Sequence, residues 1–129
     1  MHRYTYPAGE KPNVLFDVGA LLAHGKTEKA AIHRISSKEI GGYSVLAPTS
    51  RRKKPVTVYF VARFNQNMTE FGGWEKEGED KKLVRKNSIE GTDIGGYASF
   101  DKLKKQSLLM KVGISYVSEE QARINLNYE

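Results

Sequence analysis

Val56-Thr57-Val58-Tyr59-Phe60-Val61-Ala62-Arg63-Phe64 alternates with a period of two: Val56, Val58, Phe60, Ala62 and Phe64 on one face, Thr57, Tyr59, Val61 and Arg63 on the other. Successive side chains of an extended chain point to opposite sides, so this pattern predicts a long strand with one strongly apolar face. Its second face is itself partly apolar, which predicts cover on both sides, as for a strand inside a sandwich. Leu108 to Tyr116 repeats the pattern, with Leu108, Met110, Val112, Ile114 and Tyr116 opposed to Leu109, Lys111, Gly113 and Ser115. The two-faced pleats around Phe60 and Val112 call for covering polypeptide, expected from outside this chain.

Working outward, weaker strand signals lie at His2 to Tyr6, Val14 to Val18, Ala31 to Ile35, Ile40 to Leu46, Glu70 to Lys76, Lys82 to Lys86 and Tyr97 to Phe100. Gly, Pro, Asn, Ser and charge clusters separate them. Many short strands between turns predict an all-β antiparallel sandwich, here an incomplete one, and 129 residues suit one domain spanning residues 1–129. Across Leu21 to Arg34 the alanines favour a helix, but His24-Gly25-Lys26-Thr27 reads as a turn and a hairpin is preferred. One short helix is expected at the C-terminus: Ser118 as N-cap, Glu119 and Glu120 in the first turn, Gln121 reaching back to the cap, and Ala122, Ile124 and Leu126 as apolar contacts. Residues 118–129 then read as the start of a helix or linker toward an absent catalytic domain, because no C-cap glycine precedes Glu129. Ile40-Gly41-Gly42-Tyr43 is echoed by Ile94-Gly95-Gly96-Tyr97, where glycine inside a strand permits a bulge or a close backbone approach.

The chain is basic, with a net charge of +6, so a polyanion partner is the first function class to weigh. The densest run, Arg51-Arg52-Lys53-Lys54, sits between Pro48-Thr49-Ser50 and Pro55 and reads as a solvated hairpin tip rather than a nucleic-acid contact. Lys81, Lys82, Lys102, Lys104 and Lys105 alternate with Glu77, Glu79, Asp80 and Asp101, an ordinary mixed surface. The longest apolar runs are about half of the roughly 20 residues a membrane helix needs. No apolar leader precedes the first strand, and the lack of cysteine excludes disulfides, thiolate metal sites and thiol catalysis.

Catalytic constellations are equally sparse. His2, His24 and His33 form no H-x-x-x-H or H-E-x-x-H pair, so no metal ligands are assigned. There is no G-x-S-x-G around a serine and no phosphate-cradling glycine loop. Asp17, Glu70, Glu75, Asp93 and Asp101 are carboxylates without a spacing that pairs them. Asp17, between Phe16 and Val18, is the most provocative, although an outward strand acid, or one paired with Arg3 or Arg34, explains it as well. Phe71-Gly72-Gly73-Trp74 sets the only tryptophan beside glycines. Indole stacks on the C–H faces of sugars and also fills cores and interfaces, so Phe71 and Trp74 are the candidate carbohydrate or domain-interface residues.

Met1 to Pro7, Val14-Leu15-Phe16-Asp17, Glu39 to Tyr43, Val58 to Phe64 and Met110 to Ala122 together resemble glycoside hydrolase family 92 over nearly the whole chain, in the family's order. The last segment is the most specific. The part resembled is the latter portion of that family's N-terminal β-sandwich. The resemblance implies a calcium-dependent, inverting exo-α-mannosidase. Its acid, base and calcium ligands come chiefly from a C-terminal (α/α)6 barrel, and no position here matches those motifs. It further implies a secreted, periplasmic or cell-surface parent, with that barrel and mannose-containing glycans as partners. Three functions follow, in order: a non-catalytic scaffold segment of an α-mannosidase, a free-standing carbohydrate-binding module, and a basic β domain that binds nucleic acid.

Overall fold

A computed structural model describes residues 1–20, 25–103 and 107–129. The strands are β1 (His2–Thr5), β2 (Asn13–Asp17), β3 (Thr27–Arg34), β4 (Glu39–Leu46), β5 (Val56–Phe64), β6 (Glu70–Glu77), β7 (Asp80–Val84), β8 (Ser88–Gly91), β9 (Gly95–Ser99) and β10 (Ser107–Ser115), followed by helix α1 (Glu119–Asn127). They form the expected antiparallel sandwich. One sheet has six strands in the order β1-β10-β5-β4-β3-β8, and the other has four in the order β2-β9-β6-β7.

Both long strands lie where the alternation put them, paired so that Phe60 faces Ile114 and Ala62 faces Val112 across β5 and β10. Their shared inner face looks into the sandwich. There Phe64 and Phe100 meet edge to face at 4.8 Å, and Phe16 of β2 lies within 6.3 Å of both Phe60 and Phe64. Ile32, Ile40, Ile89, Ile94, Ala98 and Leu108 complete a dry centre. Apolar burial of this kind is worth about 1.5–3 kcal/mol for each large side chain.

The cover on the outer face of β5 comes from within the chain. Helix α1 folds back on the larger sheet and buries Val61 against Ala122 and Leu126, where the sequence reading looked for outside polypeptide. The approach is close because β10 offers Gly113 beneath the helix: a Cβ built there would meet the Ala122 carbonyl and stand 2.7 Å from the Leu126 nitrogen. Ser118 caps the helix as expected, its hydroxyl accepting from the Gln121 amide at 3.0 Å. The reciprocal arm of the capping box is absent, because the Gln121 side chain donates along the helix to Asn125 Oδ1 instead. Ile124 is no anchor either: it lies on the solvent side, a half-turn from Leu126.

Other boundaries moved for local reasons. Gly78, at φ +63°, makes a two-residue turn between Glu77 and Asp80, so β7 starts and ends two residues earlier than its charge pattern suggested. Strand β9 begins at Gly95, two residues before Tyr97, and ends at Ser99. Thr27–Ala31 is extended rather than helical, while Leu21 to His24 of the proposed hairpin lie outside the described residues, as do Lys104 and Lys105.

Candidate functional site

Three steps along a strand invert a side chain, so Phe71 and Trp74 of β6 cannot share a face. Phe71 is 5% exposed within the core, whereas Trp74 lies half-buried on the outer face of the smaller sheet. The register sets Trp74 directly across from Gly95 on β9 and from Leu83 on β7. Its indole lies down over Gly95, where any Cβ would strike the six-membered ring. This is why the glycine is needed: one aromatic covers the backbone that the other strand leaves bare. The indole N–H is buried there without a hydrogen-bond partner.

Tyr97 does the same in the opposite sense, its ring lying over Gly72 while its hydroxyl donates to Glu70 Oε1 at 2.7 Å. Arg85 Nε reaches the same oxygen at 3.0 Å. The bond to the Glu70 carboxylate, with some burial, holds the Tyr97 phenol above the ordinary tyrosine value, and Arg85 partly opposes that shift. Leu15 of β2 pairs with Tyr97 and is 70% exposed, and Leu83 is 74% exposed. Leu15, Tyr97, Trp74 and Leu83 therefore make an aromatic and aliphatic face, rimmed by Glu70 and Arg85. Such a face can pack on the apolar side of a sugar ring or on another protein surface. The alternation in β6 separates Trp74 from Phe71, but the partners Tyr97, Leu15 and Leu83 depend on cross-strand register, which one sequence does not reveal.

The carboxylates do not converge. Glu70 is held by Tyr97 and Arg85, Glu75 by Lys86 at 3.0 Å, and Asp93 by Lys81 at 3.2 Å, while Asp101 caps the Lys102 amide. Asp17 points outward at the end of β2, beside Lys76, Lys81 and Asp93 in a shallow groove, and makes no ion pair among the described residues. Arg34 donates to the Ser36 carbonyl instead. His33 Nε2 bonds Glu119 at 3.0 Å and ties α1 to β3, and His24 lies outside the described residues. In the basic run, Arg52 Nη2 donates to the Ala47 carbonyl at 2.8 Å and stiffens the β4–β5 connection. Among the described residues no three His, Asp or Glu side chains come together. No described helix is long and apolar enough to cross a membrane.

The sequence profile of the glycosyl hydrolase family 92 N-terminal domain matches residues 1–115. The chain belongs to glycoside hydrolase family 92. A family 92 α-mannosidase of Bacteroides thetaiotaomicron, solved also in complex with mannoimidazole, is similar over 98% of this chain and 17% of its own, at 25% identity and a TM-score of 0.80. Another family 92 glycosyl hydrolase is similar over 95% of this chain and 15% of its own, at 28% identity and 0.75. An inverting mannosidase of B. thetaiotaomicron shares the fold at 19% identity and 0.72, over 98% of this chain and 16% of its own. Among curated proteins none matches. The chain thus spans under one fifth of these family 92 structures, and α1 lies beyond the residues that the family profile matches.

Proposed function

We propose that this chain is a non-catalytic sandwich segment of a family 92 α-mannosidase, which packs on the catalytic barrel and supports the wall of the carbohydrate pocket. The observation that carries this reading is the combination of a family 92 N-terminal match with carboxylates that are each tied to a neighbouring cation or amide, or stand outward alone. Inverting glycoside hydrolysis needs two carboxyl groups roughly 6.5–9.5 Å apart on either side of one sugar. Catalysis, and the calcium expected with it, then belong to the barrel. The face of Trp74, Tyr97, Leu15 and Leu83 is the surface offered to that neighbour. The purified chain should release no mannose from α-1,2-mannobiose, with or without calcium; measurable release would overturn the assignment.

A second reading, a carbohydrate-binding module, is favoured by the same outward indole. Titrating mannose oligosaccharides against the fluorescence of the single tryptophan separates the two. Saturable quenching that Trp74→Ala abolishes would support direct sugar contact, and an unchanged spectrum would support the scaffold.

A further inference from the structure

The two sheets do not overlap fully. Gly73 of β6 sits against Ile89 of β8, Gly96 of β9 against Ile32 of β3, and Phe16 of β2 against Phe60 and Phe64 of β5. The smaller sheet therefore ends at β2, above β5, and nothing of it lies above β10. Burial along the inner face of β10 records the gap. Leu108 and Met110 are 0% and 6% exposed, Val112 is half-buried, and Ile114 is 55% exposed. Phe60 and Val58 of β5 are likewise only half-covered.

Among the described residues, no strand pairs with the edge that borders this shelf. The Pro12 carbonyl accepts from the Phe100 amide, and hydrogen-bonded pairs alternate along an antiparallel ladder, so Val14 and Phe16 bond β9 while Asn13, Leu15 and Asp17 turn their peptide groups away. The Tyr6 hydroxyl occupies the Asn13 carbonyl at 3.2 Å, leaving the Leu15–Asp17 stretch, at the same end as Val112 and Ile114. The other three edges carry charges within the strand: Arg3 in β1, Lys81 and Lys82 in β7, and Glu90 in β8. Strand β2 carries one charge, Asp17 at its last position, and ahead of it presents Val14-Leu15-Phe16, an apolar run that folded proteins seldom leave unpaired at an edge.

We propose that the free edge of β2 at Leu15–Asp17 receives one further β-strand, supplied by the rest of the parent family 92 polypeptide. A strand beside β2 lies about 4.8 Å away, over β10, where alternate apolar side chains would cover Val112, Ile114 and Phe60. Similar structures place this unit in chains of which it is only 17%, so polypeptide is at hand to fill the place. The identity of the donor rests on the scaffold reading; the open edge and the shelf do not.

The test uses the isotopically labelled chain and an acetylated nonapeptide alternating valine and threonine between terminal lysines. Amide shifts should saturate at Leu15, Asp17, Val112 and Ile114, and a serine–threonine peptide of the same length should produce none. Leu15→Pro removes only an outward N–H, so it should keep the circular dichroism spectrum and abolish the shifts, while Ile114→Ser should weaken them several-fold. Shifts confined to β7, β8 or α1, binding that survives Leu15→Pro, or no saturation would overturn the proposal. Concentration-dependent shifts at β2 without peptide would assign the edge to a second copy of the chain and overturn it equally. Mannose release by the chain would defeat the scaffold reading without altering these shifts.

Discussion

Replacing Gly113 by alanine adds one methyl group where the helix rests on the larger sheet. The new Cβ would press on the Ala122 carbonyl and the Leu126 backbone nitrogen, and backbone atoms cannot rotate aside as a side chain could. Either the helix lifts or β10 bends; overpacking of this kind costs about 1–3 kcal/mol. The ceiling is complete detachment of α1, which would forfeit the burial of Leu126 and Ala122 against Val61 and the His33–Glu119 contact, together about 4 kcal/mol. We expect a loss of about 2 kcal/mol, or roughly 8 °C in Tm for a chain of this size. Urea unfolding should be followed by ellipticity at 222 nm and by the fluorescence of Trp74, which lies on the other sheet. Lifting the helix should lower its amide protection and helical ellipticity while leaving the Trp74 spectrum unchanged in the absence of urea. A Gly113→Ala protein as stable as the parent, with α1 equally protected from exchange, would refute the claim that the glycine is there to admit the helix.

Two further outcomes follow from charges on opposite faces of the molecule. Glu39, largely buried, accepts from Arg63 Nε at 2.8 Å and approaches Arg123 at 3.8 Å, so Glu39→Ala leaves two guanidinium groups facing each other and should cost about 2 kcal/mol by urea unfolding, with Glu39→Gln intermediate. Tyr97 has its folded-state pKa raised by Glu70, so its contribution to stability is complete below the unfolded tyrosine value near 10 and disappears as pH climbs through the raised one. The Tm difference between the parent and Tyr97→Phe should therefore shrink through that alkaline window, and a difference independent of pH would contradict the Glu70 contact.

The legible parts of the fold were those specified by neighbours in sequence. The alternation at Val56–Phe64 and Leu108–Tyr116 needs no knowledge of the partner strand, and Ser118 bonds an amide three residues away. Strand β8 was invisible because Ser88–Gly91 carries a single inward apolar residue, Ile89, too little for a periodic signal. Across Thr27–Ala31 the alanines favour helix, yet the preferred hairpin reading agrees with the extended conformation that pairing with β4 enforces. The apolar second face of β5 was correctly read as needing cover. Its source was not, since two residues of a short helix, Ala122 and Leu126, suffice only because Gly113 lets them approach. At the candidate site, Trp74 could be chosen from composition alone, but its glycine bed and its neighbours Tyr97, Leu15 and Leu83 come from three other strands.

The larger sheet joins β1 to β10, matching His2 with Met110 across roughly a hundred residues of intervening chain. During synthesis β1 must therefore wait for this partner until about a hundred further residues have been added. Closure at such separation is entropically slow, and it belongs to the millisecond-to-second regime of sequence-distant β topologies rather than the microsecond one. Until then the edge of β5 opposite β4 has no neighbour, which makes that interval the period when the nascent molecule most needs a chaperone.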